Sequence, residues 1–230
     1  MKPMKPILYS SIRCPHSLKT AIFLSEKQVD FVRVEVDLKA KQQHTAPYLA
    51  KNPEGTVPAF EDGSVLLGDS LDIMRYVDTL GAAPRLFPEH PEGLSAVLRW
   101  IERADTDFWD VSHHLFWQLV EPPVTGTDSA EVRRLKEKGQ RLLEELDAIL
   151  EHQAFVCGEY TAADTALLPW VYAFRRYDLP VAGSCPHVIA WRDRLVARPS
   201  FAANYKQAGE PLLEFLERQS SPRFAAAGSE

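Results

Sequence analysis

Cys14 is the residue around which the chemistry of this chain can be organised. It stands in Arg13-Cys14-Pro15-His16-Ser17. An apolar run, Ile7-Leu8-Tyr9, precedes it and reads as a short strand. Leu18, Ala21, Ile22, Leu24 and Ser25 follow at helical spacing, so the cysteine sits where a strand turns into a helix. Pro15 suits the first helical position, because its missing N–H is one the helix leaves unpaired. Free N–H groups and the positive end of the helix dipole then face the sulfur, an environment expected to lower its pKa and favour the reactive thiolate. Ser17 lies three residues on, where redox proteins of the Cys-x-x-Cys type carry a second thiol. Its hydroxyl can donate to a thiolate but cannot close a disulfide, so disulfide chemistry would need a thiol from outside the chain. A small buried cysteine with no reactivity is the plain alternative. His16 could bias the field at the sulfur if protonated; it is read as facing solvent.

The elements that must hold this sulfur alternate over residues 7–80 in the order βαβ, then α, then ββα. Val32, Val34 and Val36 alternate with Arg33, Glu35 and Asp37, the pattern of a half-buried strand at a sheet edge. A short helix is expected around Ala46–Ala50. Asn52-Pro53-Glu54-Gly55-Thr56-Val57-Pro58 marks a turn entering a strand. Glu61-Asp62-Gly63-Ser64 reads as a hairpin turn returning through Val65-Leu66-Leu67. After Gly68-Asp69-Ser70, Leu71, Ile73, Met74, Val77 and Leu80 form one helical stripe.

Three segments in this order carry a resemblance: Cys14-Pro15-His16-Ser17, Gly55-Thr56-Val57-Pro58 and Asp69-Ser70-Leu71-Asp72-Ile73. The chain resembles the cytosolic glutathione transferases over roughly residues 6–217. Its Cys-Pro-x-Ser start is similar to their cysteine-type members, the omega class and the glutathione-dependent dehydroascorbate reductases. The fold implied is an α/β thioredoxin-like N-terminal domain over residues 1–80, a linker over 81–93, an all-α domain over 94–218, and a frayed tail over 219–230. The resemblance implies a cis bond before Pro58, with the Val57 backbone pairing the cysteinyl part of glutathione like an added strand. It places the γ-glutamyl carboxylate on the hydroxyl and N–H of Ser70 and the ammonium beside Asp69, where the family usually has the longer Glu. A plain helix cap at Asp69-Ser70 is compatible with that role. Lys41, with Lys39 beside it, falls where omega-like relatives place a lysine near the glycyl carboxylate; a solvated surface position suits either.

The second part reads as helical. Leu94, Leu98, Ile101, Asp105, Phe108, Ser112, Leu115 and Leu119 follow one stripe, and Glu121-Pro122-Pro123-Val124-Thr125-Gly126 ends it. Val132 to Leu150 forms the next long helix. Thr161 and Asp164 make a capping box for a third, which contains Pro169. Shorter helices are expected around 188–196, 201–206 and 211–217. In the family the acceptor pocket lies between the domains, so Trp109, His113, Trp117 and Tyr172 are acceptor-pocket candidates, with Trp170 and His114 nearby; each also suits core packing. His113-His114 is not read as a metal pair, and no metal is expected.

Composition excludes several classes. The 230 residues are 45% hydrophobic and 25% charged, with net charge −6, so nothing draws the chain to nucleic acid or an anionic membrane. No apolar run approaches ~18 residues, and the N-terminus lacks a signal-peptide core. Three scattered cysteines, Cys14, Cys157 and Cys185, fit a reducing, cytoplasmic setting. The implied activity is glutathione-dependent thiol transfer through a Cys14–glutathione mixed disulfide, in a homodimer, on a small electrophilic or disulfide acceptor. The alternatives are a non-catalytic interaction protein, similar to the bacterial stringent-starvation regulator that binds RNA polymerase, and conventional conjugation of glutathione to electrophiles.

Overall fold

The structure, a computed structural model, describes residues 5–80, 85–119, 129–181 and 183–207. The expected linker start at 81–84, the break at 121–126, the helix at 211–217 and the tail at 219–230 lie outside them.

The first part runs β1 (Ile7–Ser10), α1 (Pro15–Glu26), β2 (Val32–Glu35), a 3₁₀ turn (Gln42–His44), α2 (Ala46–Leu49), β3 (Ala59–Asp62), β4 (Val65–Leu67) and α3 (Ser70–Thr79). The sheet order is β2-β1-β3-β4. Strands β1 and β2 are parallel, with Leu8 opposite Arg33, which requires the α1 crossover. Strand β3 runs antiparallel to both β1 and β4, placing Phe60 between Leu8 and Leu67. This is the thioredoxin-like arrangement expected. β2 lies at the edge, as read, but its burial differs: Val36 is buried while Val32 and Val34 are 45% and 37% exposed. Only the end of that face meets the layer formed by α2 and the loop before β3.

The second part is helical: α4 (Pro91–Arg103), a π-helical turn (Ala104–Phe108), α5 (Trp109–Leu119), α6 (Ala130–Leu150), α7 (Ala162–Phe174), a 3₁₀ turn (Arg175–Tyr177), α8 (Pro186–Val196) and α9 (Pro199–Gln207). Helix α4 begins at Pro91, three residues before the expected start. The stretch before it is packed. Leu86 and Phe87 are buried, and their N–H groups donate to the two Asp78 carboxylate oxygens at 3.0 and 3.4 Å. Lys27 closes on Asp78 at 3.1 Å.

One apolar cluster runs through both parts, from Leu8, Phe23, Phe60 and Met74 to Ile101, Phe108, Leu143, Leu167 and Trp191. Helix α1 joins them. It packs on β1 and α3 on one side and on α7 and α9 on the other. Every residue from Ser17 to Leu24 is therefore buried, the condition of a helix enclosed all round. Asp164 organises the start of α7. Its carboxylate accepts from the N–H groups of Val156 and Thr161, both at 3.0 Å, and from Trp191 Nε1 at 2.8 Å. The expected capping box is present.

Candidate functional site

Cys14 is the N-cap of α1, with extended backbone and Pro15 at the next position. Its N–H donates to the Ser11 carbonyl, and its own carbonyl accepts from Leu18 N–H, both at 3.0 Å. The thiol does not cap the helix; it lies 3.6 Å from the Val57 carbonyl oxygen, as donor to acceptor. The residue is half-buried. Ser17 is fully buried, and its hydroxyl oxygen accepts from Ser11 N–H at 3.1 Å. The expected low pKa is not what this environment produces. Burial pushes the Cys14 thiol up; the Ser17 N–H and hydroxyl, the His16 N–H and the Lys19 charge pull it down without prevailing. A helix terminus favours an anion only as far as its donors offset lost solvation, and here desolvation wins.

The wall opposite the sulfur is the Val57-Pro58 segment, whose peptide bond is cis as expected. It packs in a small cluster of Val36, Tyr48, Val57 and Ala59, with Tyr9, Cys14 and Leu38 against it. Two side chains that the sequence did not single out hold this wall. Tyr48 donates to the Thr56 carbonyl at 2.5 Å, and Asn52 Nδ2 donates to Thr56 O at 2.9 Å and to Gly68 O at 3.5 Å. Asn52 so ties the segment before Pro58 to the segment before Asp69. Gly55 is left-handed, with φ +64°, and an added Cβ would meet His44 Nδ1 at 2.8 Å. His44 therefore lies against Gly55, two residues before Val57, another position not singled out. Lys41 is exposed and left-handed, φ 56°, just before the 3₁₀ turn.

Asp69 is the N-cap of α3. One of its carboxylate oxygens accepts from Leu71 and Asp72 N–H at 2.8 and 3.0 Å. Ser70 is buried at the first helical position. The N-termini of α1 and α3 both follow strands of the sheet, and the charges of Asp105 and Asp69 both act on His16 of α1.

His16 faces inward, contrary to the solvent-facing expectation. Its ring meets the Trp170 ring edge-on at 5.2 Å, and Nδ1 lies 3.4 Å from the Asp105 carboxylate. Burial and the neighbouring Lys19 charge bring its pKa down to about 4. Trp170 of α7 reaches this region; it is buried, and among the described residues its indole N–H has no partner. Tyr172 does not join it. Two residues on, it points roughly 160° away around the helix and packs edge-on to Phe201 at 5.3 Å, with Arg175 over its ring at 5.1 Å. Trp109, His113 and Trp117 do share one stripe of α5. Trp109 stacks on His113 at 4.7 Å, His113 meets Trp117 at 6.2 Å, and Trp117 is 53% exposed. The stripe begins one turn beyond Asp105. Among the described residues, no group of three or more His, Cys, Asp or Glu is placed to hold a metal.

Comparison with known proteins follows the same division. The family profile described as Glutathione S-transferase, N-terminal domain, matches residues 8–85, and that described as Glutathione S-transferase, C-terminal domain, matches residues 108–199. A glutathione S-transferase of Hyoscyamus muticus is 30% identical over 208 residues, covering 87% of this chain and 98% of its own length. Glutathione S-transferase 3 of Zea mays is 32% identical, covering 87% and 92%. Glutathione transferase F7 from Populus trichocarpa superposes with TM-score 0.76 at 27% identity, covering 89% of this chain and 99% of that one. A glutathione S-transferase-I bound with lactoylglutathione superposes with TM-score 0.77 at 26% identity, covering 88% and 99%. With both halves matched in order, and the relatives aligned over nearly their whole length, the chain belongs to the glutathione S-transferase family.

Proposed function

We propose that this chain is a glutathione-dependent thiol transferase of the cysteine type, with Cys14 as the nucleophile and glutathione as the tripeptide substrate. Family membership supports glutathione; the cysteine mechanism rests on the placement of Cys14. Its sulfur, 3.6 Å from the Val57 carbonyl, is the observation that carries the reading. An extended peptide paired to the Val57 backbone would bring its own sulfur beside this one. In that pose Ser70 and the α3 N-terminus take the γ-glutamyl carboxylate, Asp69 takes the ammonium, Lys41 faces the glycyl carboxylate, and the Trp109–His113–Trp117 stripe faces the acceptor.

The exchange runs in two displacements. The Cys14 thiolate attacks the glutathionyl sulfur of a mixed disulfide. The Cys14–glutathione disulfide forms, and the acceptor leaves as a thiolate that takes up a proton. A second glutathione thiolate then attacks the glutathione sulfur of that intermediate, releasing glutathione disulfide and restoring Cys14. Ser17 cannot resolve the intermediate internally, so the second glutathione is obligatory. The homodimer implied by the resemblance accompanies this reading.

One observation favours a second reading. The thiol that burial keeps protonated is an S–H donor, able to stabilise a glutathione thiolate as the hydroxyl does in Ser- and Tyr-type members; the reaction would then be conjugation to an electrophile. The test runs both reactions on the same protein, mixed-disulfide reduction and aryl-halide conjugation, with and without Cys14→Ser. Thiol transfer lost and conjugation kept or gained in the variant supports the first reading. Full disulfide turnover by Cys14→Ser overturns it.

A further inference from the structure

The hairpin of β3 and β4 brings the Val57 wall and the start of α3 to one end of the sheet, but its own ladder does not join them. The register pairs Phe60 with Leu67 and ends there. The next pairs outward would be Ala59 with Gly68 and Pro58 with Asp69, and Pro58 has no N–H to donate. Beyond the ladder, the two segments need another tie.

Asn52 is that tie. It is 2% exposed. Its side-chain amide donates to the Thr56 carbonyl at 2.9 Å, the Thr56 hydroxyl oxygen at 3.1 Å and the Gly68 carbonyl at 3.5 Å. Its Oδ1 accepts from Glu54 N–H at 3.1 Å, and its carbonyl accepts from Gly55 N–H at 3.0 Å. One amide therefore touches the residue before Val57 and the residue before Asp69. Gly68 makes the room for it. A Cβ there would lie 2.5 Å from Asn52 Oδ1 and 2.7 Å from its Cγ, so a side chain at this position expels the amide. The wall has a second support, because Tyr48 also donates to the Thr56 carbonyl. The Asn52–Gly68 contact carries that support across to the α3 segment.

We propose that Asn52, seated against Gly68, is a positioning residue for glutathione: it fixes the separation between the Val57 wall and the Asp69–Ser70 helix start, so that one tripeptide engages both. The proposal rests on the docking pose given above and not on the chemistry of Cys14. A ligand that spans two sites gains from both only when their separation matches its own length. Loss of the Asn52 amide frees that separation. A ligand held at the wall alone is indifferent to it, because Tyr48 keeps the wall.

Titration calorimetry on the full chain, under reducing conditions, compares reduced glutathione with cysteinylglycine, which lacks the γ-glutamyl group. The readout is the ratio of the two dissociation constants, taken at a temperature where urea unfolding shows each variant to be folded. Asn52→Ala is expected to weaken glutathione roughly tenfold and cysteinylglycine less than about twofold, so the ratio collapses. Gly68→Ala reaches the same amide from the other side and is expected to do the same. In Asn52→Ala/Gly68→Ala the added Cβ enters the space the amide vacated, so the double variant should match Asn52→Ala within about twofold. A merely structural role lowers stability and leaves the ratio of the folded protein at its wild-type value. That result, equal weakening of both ligands, or a wild type with no preference for glutathione overturns the proposal. A wild type with the preference, variants that lose it, and no glutathionyl transfer reject the cysteine mechanism alone.

Discussion

The Cys14 thiol donates to the Val57 carbonyl across 3.6 Å and across 43 positions of sequence. A carbonyl oxygen attracts S–H and repels S⁻, so this contact belongs to the protonated sulfur. An incoming peptide N–H paired to the same carbonyl would displace the thiol toward the peptide's own sulfur.

The first prediction follows from that contact. Burial holds the Cys14 pKa above its ordinary value, so the thiolate fraction at neutral pH is small. Alkylation of the unliganded protein at Cys14 should climb about tenfold per pH unit from 7 to 9, as the thiolate fraction does. A plateau below pH 8 would mean that the helix N-terminus prevails over desolvation.

Asp69 holds two duties that one substitution separates. Its carboxylate caps α3 through Leu71 and Asp72, and in the proposed complex it faces the glutathione ammonium. Asparagine caps about as well as aspartate but carries no charge. Asp69→Asn should leave Tm unchanged and raise KM for glutathione roughly tenfold or more, the worth of one charged hydrogen bond. Asp69→Ala should do both harms, losing about 1 kcal/mol of stability as well. If Asn and Ala raise KM equally little, Asp69 is a cap and nothing more.

These readings differ in how far the sequence reaches. Cys14 at a strand–helix junction, the Asp62–Val65 hairpin and the Thr161–Asp164 box were legible because each is local: a period, a turn residue, a spacing of three. Val32 and Val34 were misread because alternation gives the two faces of a strand but not what covers them. The stripe from Leu94 to Leu119 included Asp105 as an unexplained polar interruption. The π turn that carries it has no signature in residue periodicity, and its partner Lys19 looks like any surface lysine until α7 and α9 close over α1. His16 reads as solvent-facing for the same reason, and on α7 it is the Trp170 ring that meets His16 while Tyr172 packs against Phe201.

Asp164 supplies the third prediction. Its carboxylate accepts from four buried donors, the N–H groups of Val156 and Thr161, the Thr161 hydroxyl and Trp191 Nε1, and removal strands the N–H donors at about 1–3 kcal/mol each before relaxation. Asp164→Ala should lose about 3–5 kcal/mol in urea unfolding, while kcat per folded molecule stays close to that of the wild type. An equal loss of kcat in the folded fraction would give this residue a part in the chemistry.

Lys41 is exposed, so any pairing with a glycyl carboxylate is a surface pairing worth at most about 1 kcal/mol. Lys41→Ala should raise KM for glutathione roughly two- to fivefold at low salt, and the difference should shrink as ionic strength approaches about 0.5 M. His44, on the wall beside Gly55, is the comparison. A larger effect from His44→Ala than from Lys41→Ala would move the carboxylate contact to the histidine.

His16 gives the last prediction, from its burial between Trp170, Lys19 and Asp105. Its pKa of about 4 in the fold lies below the ordinary 6.5, so the unfolded chain binds this proton first as pH falls. The native state therefore keeps the full benefit of a neutral His16 above about pH 6.5 and loses it progressively down to about pH 4, where the ring charges in place. The gap corresponds to about 3 kcal/mol. His16→Gln has no ring to protonate and should flatten that part of the pH–stability curve. Urea midpoints for both proteins at pH 7.5 and 4.5 decide it. If the variant loses as much stability as the wild type over this interval, acid sensitivity resides in the carboxylates, and His16 is already charged or solvated in the native state.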